Sequence, residues 1–520
     1  MKNGPVSQAS HEGRFTETSG QTGFANDLRC LSPQTRRFLD RPLGLFIGGA
    51  WVQSDGADRI AVIDPTSGQC IAEVPAASAK DVDRAVNSAS ATFHSTAWRG
   101  MRPVERERML VRLADLVEAH ATLLAELEAI DVGMPLRFAD EIYQLLAVDV
   151  LRYMAGMPTK IKGEISDVSL PGPDRLIGYT LREPVGVVGA ILPWNSPGDA
   201  AIWKVAAALA AGCTVVVKPS EMACLTALAL GDLVAEAGFP PGAVNIITGT
   251  GAVAGHALAS HPGVQKIGFT GSTQTGRLIQ AAAIPTLKKV HLELGGKSPA
   301  LVFADADLPA AAKGVAEAIY SYSGQLCVAG SRLYVQDAVY DEVTALLVER
   351  SNALLLGPSL SRETDIGPLV RKSHLDKVAG CVDRARDDGA TILCGGAPID
   401  GPGYYYPPTV IADVRQDMAC VQDEIFGPVI TVSHFSTPEE ALTLANDTTY
   451  GLAAYVWSSN ISTIHDMVGQ LRCGKVAVNS TAPPIPSLPE GGTKGSGYGR
   501  DLGLEGLNYY LETKSVLMRV

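Results

Sequence analysis

The stretch VGVVGAILPWN, residues 185–195, decides how this chain folds. Its first part, 185–192, is a short apolar run rich in valine, which predicts a buried β-strand. Pro193 ends the run, and the polar Asn195 stands two residues later. The fold class then depends on the elements that come after this strand along the chain.

Short strand-forming runs alternate with helical stretches downstream of this first strand. We predict further strands over 214–218, 244–248, 266–270 and 289–294, and helices over 200–211, 224–236, 252–259 and 274–283. Strands that alternate with helices are typical of an α/β fold with a parallel, doubly wound sheet of the Rossmann type. Such sheets bind ligands at the carboxyl ends of their strands.

The length of the chain predicts more than one domain. With 520 residues it exceeds what a single hydrophobic core usually supports, and a second alternating α/β stretch runs from about residue 298 to 479. We assign 41–160 and 185–292 to a first domain and 293–480 to a second. Two domains of this kind predict a cleft between them.

Four other segments have a readable pattern. Leucines at helical spacing predict one amphipathic helix over 111–130. Segments 161–184 and 500–520 predict extra strands that complete neither sheet and pair across subunits. Residues 1–40 are polar and rich in glycine, serine and threonine, which predicts a flexible tail without a signal peptide.

Charge and hydropathy exclude several classes of partner. The formal net charge of −12 disfavours nucleic acid and anionic membranes, because both require clustered lysine and arginine. The longest apolar stretch, residues 205–217, is shorter than the roughly 20 residues that cross a bilayer. We therefore expect a small-molecule partner and no membrane span.

The nine cysteines are scattered singly, without any Cys-x-x-Cys pair. This arrangement predicts neither a zinc site nor a disulfide framework. The chain is expected to hold no metal and to reside in the reducing cytoplasm.

Three polar motifs come directly after predicted strands: PWN at 193–195, KPSE at 218–221 and FTGSTQTG at 269–276. Backbone N–H groups of glycine and serine at a helix N-terminus bind phosphate, and Glu221 is placed to bind ribose hydroxyls. These motifs are compatible with a dinucleotide site. Glycine-rich turns between strand and helix are also common without a ligand, so both interpretations stay open here.

Two further motifs contain candidate reactive groups. Cys327 lies in SGQLCVAGSR, just past a helical run over 310–320, and is either core filler or a nucleophile. Glu293 lies in HLELGGKSP beside two glycines and is either a general base or a surface carboxylate before a turn.

Taken together, the motifs resemble the aldehyde dehydrogenase superfamily, in its NAD(P)-dependent hydrolytic branch. The resemblance runs from about Leu45 to Val520 and rests on the motifs PWN, KPSE, FTGST, LELGGKSP, GQLCVAGSR, DEIFGPV and GTKGSGYGRDLG in this order. It implies a Rossmann-type cofactor domain, an α/β catalytic domain and a small β extension for oligomerisation.

The resemblance implies a chemical role for three residues. Cys327 would attack the aldehyde carbon as a thiolate. The side-chain amide of Asn195 and the backbone N–H of Cys327 would hold the oxyanion of the thiohemiacetal. After hydride transfer to nicotinamide, Glu293 would activate the water that hydrolyses the thioester.

It also implies the residues of the cofactor site. These are Pro193, Trp194, Lys218, Glu221, Gly271, Ser272, Glu424 and Phe426. The carboxylate of Glu221 favours NAD because it would repel a 2′-phosphate, whereas Lys218 keeps NADP possible. Asp501 stands where many relatives carry glutamate, which leaves open whether it assists the hydrolytic water.

The substrate is less constrained by the sequence. Asp199, Ser321, Tyr322 and Glu490 are candidate pocket residues, and Glu490 stands where relatives commonly carry an aromatic residue. Two carboxylates near the pocket would favour a cationic aldehyde, such as an aminoaldehyde or betaine aldehyde. The alternative is that one or both face solvent or pair with a lysine.

Three other functions compete with this one. A coenzyme A-acylating dehydrogenase would share the thioester but usually lacks the base at Glu293. A cysteine hydrolase or amidase would pair Cys327 with a histidine such as His291, and a structural relative would lack catalysis. The resemblance further implies a homodimer or homotetramer.

Overall fold

The structure is a computed structural model that describes residues 24–168, 175–481 and 483–520. Its described residues form two large sheets, each covered by helices, and two small sheets.

The first large sheet contains the strand that is predicted over residues 185–192. Its members are β1 (Leu45–Ile47), β2 (Ala50–Val52), β7 (Val187–Ile191), β8 (Thr214–Lys218), β9 (Val244–Ile246), β10 (Lys266–Thr270), β11 (Lys289–Glu293) and β19 (Gly497–Tyr498). The order is β19-β11-β10-β7-β8-β9-β1-β2, and the five central strands are parallel. Chain order reverses between β7 and β10, so a ligand crevice is expected at their carboxyl ends.

The second large sheet lies opposite the first across a cleft. It consists of β12 (Pro299–Val302), β13 (Arg332–Gln336), β14 (Thr391–Cys394), β15 (Thr409–Ala412), β16 (Val429–Phe435), β17 (Ala453–Trp457) and β18 (Lys475–Val478). The order is β14-β15-β16-β13-β12-β17-β18, with only β14 antiparallel to its neighbour among the described strands.

The small sheets are antiparallel. One contains β5 (Ile165–Asp167), β6 (Leu176–Pro184) and β20 (Leu511–Arg519), and the other contains β3 (Arg59–Asp64) and β4 (Gln69–Pro75). Strands predicted within 161–184 and 500–520 therefore pair with each other in one chain, with Leu511 opposite Pro184. Residues 169–174 of the first segment lie outside the described residues.

Helices pack on both faces of the first sheet. The adjacent residues Val187 and Val188 of β7 point to opposite faces of the sheet, and each belongs to a different hydrophobic core. The helices are α1 (Pro33–Asp40), α2 (Ala79–His94), α3 (Thr96–Arg99), α4 (Pro103–Ala119), α5 (Ala121–Val132), α6 (Leu136–Glu141), α7 (Ala147–Ala155), α8 (Pro197–Ala211), α9 (Leu225–Glu236), α10 (His256–Ser260), α11 (Thr273–Ala283), α12 (Leu308–Tyr320), α13 (Tyr340–Ala353), α14 (Lys372–Asp387), α15 (Ala419–Gln422), α16 (Pro438–Asn446), α17 (Ile461–Gln470) and α18 (Gly503–Asn508). No helix in the described ranges is long and apolar enough to cross a membrane.

Helix α8 carries several polar side chains to the cleft. Pro197 stands in its first turn and Gly212, with a φ of 91°, ends it in the left-handed region. Its alanine-rich body is buried, so the helix packs closely on the sheet. Asp199 and Lys204 are buried with it, which predicts a functional or structural partner for each charge.

Two elements differ from the sequence-based predictions. Residues 24–40 are not a flexible tail: they include α1, which Ser32 caps by accepting a hydrogen bond from the Thr35 N–H, and Phe38 is buried in the core. Residues 1–23 lie outside the described part of the chain.

The single helix expected over 111–130 is two helices, α4 and α5. His120 separates them with a non-helical ψ of 17°, and its ring Nδ1 lies 2.9 Å from the carbonyl oxygen of Leu116. Helix α5 is buried on all sides rather than amphipathic, because it lies between α6, α8 and α9.

Candidate active site

A cavity of about 1160 Å³ lies between the carboxyl ends of the first sheet and the second sheet. Every residue singled out for the site lines it: Pro193, Trp194, Asn195, Asp199, Lys218, Glu221, Gly271, Ser272, Glu293, Ser321, Tyr322, Cys327, Glu424, Phe426 and Glu490. The fold therefore places these side chains around one space, although they come from distant parts of the sequence.

Cys327 comes after a strained turn at the end of helix α12. Tyr322, Ser323 and Gly324 all have a positive φ, which is costly for the first two residues. A Cβ on Gly324 would lie 2.1 Å from the carbonyl oxygen of Gly427, so only glycine fits at that position. The turn fixes where the Cys327 thiol enters the cavity.

The environment of Cys327 opposes ionisation of its thiol. Burial raises the pKa of Cys327 to about 12, and the carboxylates of Glu424, Glu293 and Glu490 add to this shift. A thiol with such a pKa is protonated at neutral pH and becomes reactive only when the surrounding charge changes.

Asn195 lies three residues past the apolar run that contains β7 and contacts the loop of the cysteine. Its side-chain Nδ2 donates a hydrogen bond of 2.8 Å to the carbonyl oxygen of Gln325. An amide nitrogen carries two N–H groups, so this bond orients the group and leaves a second donor. That arrangement suits a fixed oxyanion hole.

Glu293 is the last residue of β11 and points into the same cavity. Its Oε1 lies 2.7 Å from Nε2 of His291. Burial raises the pKa of the Glu293 carboxyl well above its ordinary value, and the Asp501 carboxylate adds to this effect. A carboxyl with a raised pKa is a suitable general base near neutral or alkaline pH.

The two glycines after this strand permit close approach of other parts of the site. A Cβ on Gly295 would lie 2.3 Å from Oε2 of Glu424, and one on Gly296 would lie 2.3 Å from the carbonyl oxygen of Cys327. The N–H of Gly296 donates a hydrogen bond of 2.9 Å to Glu424 Oε1. The glycine pair therefore brings the second domain's carboxylate and cysteine next to β11.

One end of the cavity has the features of a dinucleotide site. Lys218 and Glu221 form an ion pair of 3.3 Å at the end of β8. Burial lowers the pKa of Lys218; burial alone would raise the pKa of Glu221, but the nearby ammonium and backbone N–H groups lower it. Ser272 caps α11, whose N-terminal N–H groups can bind phosphate.

Rings from both domains meet between this end and the cysteine. The ring of Trp194 contacts that of Phe426 edge to face, with centroids 5.2 Å apart. Phe426 has a φ of 65°, and its carbonyl oxygen lies 2.7 Å from Nε2 of His374. Backbone strain of this kind in a non-glycine residue is concentrated at functional sites.

The opposite end of the cavity is mainly aromatic. The rings of Phe138 and Tyr322 stack with centroids 5.4 Å apart, and Trp203 also lines the wall. Asp199 is buried there, and burial raises its pKa to about 7. Its Oδ1 has no hydrogen-bond partner among the described residues.

Glu490 pairs with a lysine, which is one of the alternatives that the sequence left open. Its carboxylate pairs with the ammonium group of Lys475, and both side chains are largely buried. The charge of Glu490 is therefore offset locally, which reduces its capacity to attract a cationic substrate.

The family model described as the aldehyde dehydrogenase family matches residues 51–516. The chain belongs to the aldehyde dehydrogenase family. It is an oxidoreductase that acts on aldehydes, and the fold and the family suggested by its motifs are both confirmed.

Relatives of this aldehyde dehydrogenase are similar over nearly their whole length. A phenylacetaldehyde dehydrogenase of Pseudomonas fluorescens is 43% identical over 485 residues, which cover 92% of this chain and 96% of that protein. An NAD+ complex of an aldehyde dehydrogenase from Bacillus cereus has a TM-score of 0.92 and 40% identity, covering 96% of this chain and 100% of that one.

A betaine aldehyde dehydrogenase from Staphylococcus aureus, solved in complex with NAD+, is also similar. Its TM-score is 0.90 at 36% identity, and the match covers 94% of this chain and 96% of that chain.

Sequence reasoning missed several wall residues of this aldehyde dehydrogenase. Trp203 had a usable signal, because it lies four residues after Asp199 and hence on the same face of α8. Phe138 carried no local signal, since only tertiary packing brings it to the cavity. Likewise, only packing brings Lys475 next to Glu490. Lys204 is a further omission, with Nζ 2.8 Å from Asp501 Oδ2.

Proposed function

We propose that this chain oxidises an aldehyde to the carboxylic acid with NAD+, through a thioester on Cys327 that water hydrolyses. The observation that carries the proposal is the meeting of three groups in one cavity: the Cys327 thiol, the Asn195 amide fixed by Gln325, and the Glu293 carboxyl. A nucleophile, an oxyanion donor and a base are the parts that such a reaction requires.

The covalent step begins at the Cys327 sulfur. The sulfur adds to the aldehyde carbon while the thiol proton passes to water in the cavity, and the carbonyl oxygen becomes an oxyanion. In this proposal, the free N–H of the Asn195 amide and the backbone N–H of Cys327 stabilise this charge. When bound, NAD+ supplies the acceptor for the hydride, and the carbon is left as a thioester.

Hydrolysis restores the enzyme. Glu293, as carboxylate, takes a proton from water while the water oxygen bonds to the thioester carbon, and the carbon–sulfur bond breaks. The products are the carboxylic acid and free Cys327. The presence of a buried carboxyl at this position favours hydrolysis over transfer of the acyl group to coenzyme A.

The cofactor end of the cavity fits NAD+. Glu221, with a lowered pKa, stays ionised and can accept hydrogen bonds from ribose hydroxyls, whereas a 2′-phosphate would be repelled. The capped N-terminus of α11 offers N–H groups for the pyrophosphate. Lys218 is already paired with Glu221, which weakens its use for NADP.

We propose arylalkyl aldehydes as the substrate class. The stacked rings of Phe138 and Tyr322, with Trp203, offer flat apolar walls, and the acid Glu490 is neutralised by Lys475. The similarity to a phenylacetaldehyde dehydrogenase supports this choice.

A cationic aldehyde is the second candidate. Asp199 has a buried oxygen without a partner in the described part of the chain, and aromatic rings also bind cations. The similarity to a betaine aldehyde dehydrogenase supports this alternative.

A substrate panel separates the two candidates. We expect a higher kcat/KM for phenylacetaldehyde than for betaine aldehyde or a neutral alkyl aldehyde, with little change in Asp199→Asn or Glu490→Gln. A higher kcat/KM for betaine aldehyde, reduced at least about 10-fold in Asp199→Asn, would instead select the cationic class.

The reaction class is tested by measuring NADH. Wild-type protein should form NADH with NAD+ and aldehyde, and Glu293→Gln should give a burst roughly stoichiometric with enzyme and then slow turnover. Turnover that requires coenzyme A would favour the acylating reaction. Cleavage of an ester or amide without any NADH formation from aldehydes would favour the hydrolase.

We further propose a cytoplasmic homodimer or homotetramer. All nine cysteines are free, which suits a reducing compartment. The small sheet of β5, β6 and β20 leaves apolar side chains exposed, including Ile165, Leu517 and Met518, which suits a subunit contact. Size-exclusion chromatography with light scattering tests the assembly, and cell fractionation tests the location.

A further inference from the structure

We propose that His291 is a positioning residue for the hydrolytic step, and that its contacts with Glu293 and Asp501 hold the base in place in its protonated form. The proposal deepens the proposed function and rests on Glu293 being the base. His291 itself does not line the cavity, so it acts through Glu293.

His291 and Glu293 lie on the same face of β11, since residues two apart in a strand point the same way. The imidazole is fully buried, and its Nε2 lies 2.7 Å from Oε1 of Glu293. Its Nδ1 lies 3.7 Å from Oδ1 of Asp501, beyond hydrogen-bond distance, and has no hydrogen-bond partner in the described part of the chain. The imidazole ring of His291 therefore lies between the carboxyl groups of Glu293 and Asp501.

The ring has little freedom to rotate. It stacks on Tyr509, with centroids 5.5 Å apart and an interplanar angle of 28°. On another side, a Cβ on Gly499 would lie 2.3 Å from Cδ2 of His291, so the backbone touches the ring edge. These contacts fix the direction of both nitrogens.

Asp501 selects the tautomer of His291. It is ionised, because its pKa is about 2: burial alone would raise it, but the ammonium groups of Lys204 and Lys266 outweigh that effect. The negative charge of Asp501, 3.7 Å from Nδ1, electrostatically favours the tautomer with the proton on Nδ1, which leaves the lone pair on Nε2. An Nε2 lone pair accepts a hydrogen bond, so Glu293 must donate it as the carboxylic acid.

The charges around the ring agree with a neutral imidazole. Burial lowers the pKa of His291 to about 3; Asp501 opposes this effect, whereas nearby cations add to it. The groups that face the His291–Glu293 pair are Lys204 from α8, Lys266 from β10, Arg500 and Asp501 from the loop after β19, and Glu490. Since Lys204 already neutralises Asp501, this cluster is not interpreted as a metal site.

The hydrogen bond between Glu293 and His291 affects when Glu293 can act as a base. Glu293 must release its proton to water in the cavity before it can take one from the attacking water. An imidazole that accepts a hydrogen bond stabilises the acid form of Glu293, and thus moves the onset of hydrolysis to higher pH. After each hydrolysis the acid form is restored and held again.

Two substitutions give opposite expectations. In His291→Gln, the side-chain NH2 group can donate to the Glu293 carboxylate, which favours the ionised base. We expect the pH midpoint of steady-state kcat to fall by about 1 unit or more. In His291→Leu, the carboxyl loses its partner, so the midpoint stays high and kcat falls at every pH, by roughly 10-fold or more.

The readout is NADH formation in the stopped flow and in the steady state. We expect both variants to form NADH in the first turnover at the wild-type rate, which reports intact folding, cofactor binding and acylation, with the change confined to hydrolysis. His434→Gln, at a histidine whose side chain is 68% exposed on β16, is the matched control and should keep the wild-type profile. A wild-type midpoint in His291→Gln, or equal shifts in both variants, would overturn the proposal.

A second measurement does not depend on how the variants fold. In wild-type protein labelled with 15N-histidine, the His291 signal, assigned by its loss in His291→Gln, should report a proton on Nδ1. A proton on Nε2 contradicts the proposal. Failure of the proposed function would be distinguishable, because wild-type protein would then form no NADH with any aldehyde.

Discussion

The side-chain amide of Asn195 donates a hydrogen bond of 2.8 Å to the backbone carbonyl of Gln325, two residues before Cys327. The bond joins the end of the first sheet to the loop that carries Cys327. One N–H of the Asn195 amide makes this hydrogen bond between the two domains. The other N–H is free to bind an oxyanion.

Asn195→Ala should therefore lower kcat strongly and leave the KM for aldehyde nearly unchanged. Loss of one oxyanion donor typically costs about 10²–10³ in rate. The measurement is steady-state NADH formation at saturating NAD+. Asn87→Ala, at a surface position of α2, is the control, and a wild-type kcat in Asn195→Ala would remove this residue from the oxyanion hole.

The Cys327 thiol should react slowly with iodoacetamide at neutral pH. Because its pKa is raised to about 12, first by burial and then by Glu424, the thiolate fraction is small and grows with pH through the alkaline range. Peptide mass spectrometry should show faster modification of the exposed Cys30 and Cys70. Glu424→Gln should accelerate modification of Cys327; a midpoint near pH 8.5 in wild-type protein would contradict this environment.

Glu221→Ser should change the choice of dinucleotide. Removing the carboxylate removes its repulsion of a 2′-phosphate, so the ratio of kcat/KM for NADP+ to that for NAD+ should rise at least about 10-fold. The exposed Glu236→Gln on α9 is the control for a loss of charge in the same domain. An unchanged ratio would place the ribose elsewhere.

Glu128→Gln should alter how stability depends on pH. Burial raises the pKa of Glu128 to about 8, well above its value in an unfolded chain. The native state thus holds a proton that the unfolded state releases between about pH 4.5 and 8, so the free energy of unfolding falls as pH rises through that range.

Urea unfolding at about pH 5.5 and about pH 8.5 checks this sign. The wild-type protein should lose more stability between the two values than Glu128→Gln does, with the buried Asp131 accounting for part of the remaining loss. An equal loss in both proteins would show that Glu128 is ionised in the native state.

Local patterns predicted much of the fold. The valine-rich runs gave β7 and β8 nearly to the residue, because buried parallel strands need continuous apolar character. Helix α1 also had a local signal, Ser32 before Pro33, which the polar character of the N-terminal region obscured. The break at His120 had no comparable signal, since it depends on how α4 and α5 pack on different neighbours.

A candidate residue could be named where one motif carries its own chemistry, as at Cys327, whose catalytic role stays a prediction. The site could not be predicted where two distant side chains determine each other's charge. Glu490 is acidic in the sequence, but only the fold brings Lys475 next to it. Likewise, His291 and Asp501 are 210 residues apart, and their contact exists only in the folded chain.

The last strand of the small sheet is tied to the first large sheet. Glu293 pairs in register with Gly497 of β19, and Lys289 at the other end of β11 binds the Leu511 carbonyl and the Glu512 carboxylate of β20. The small sheet therefore anchors the end of β11 that lies opposite Glu293.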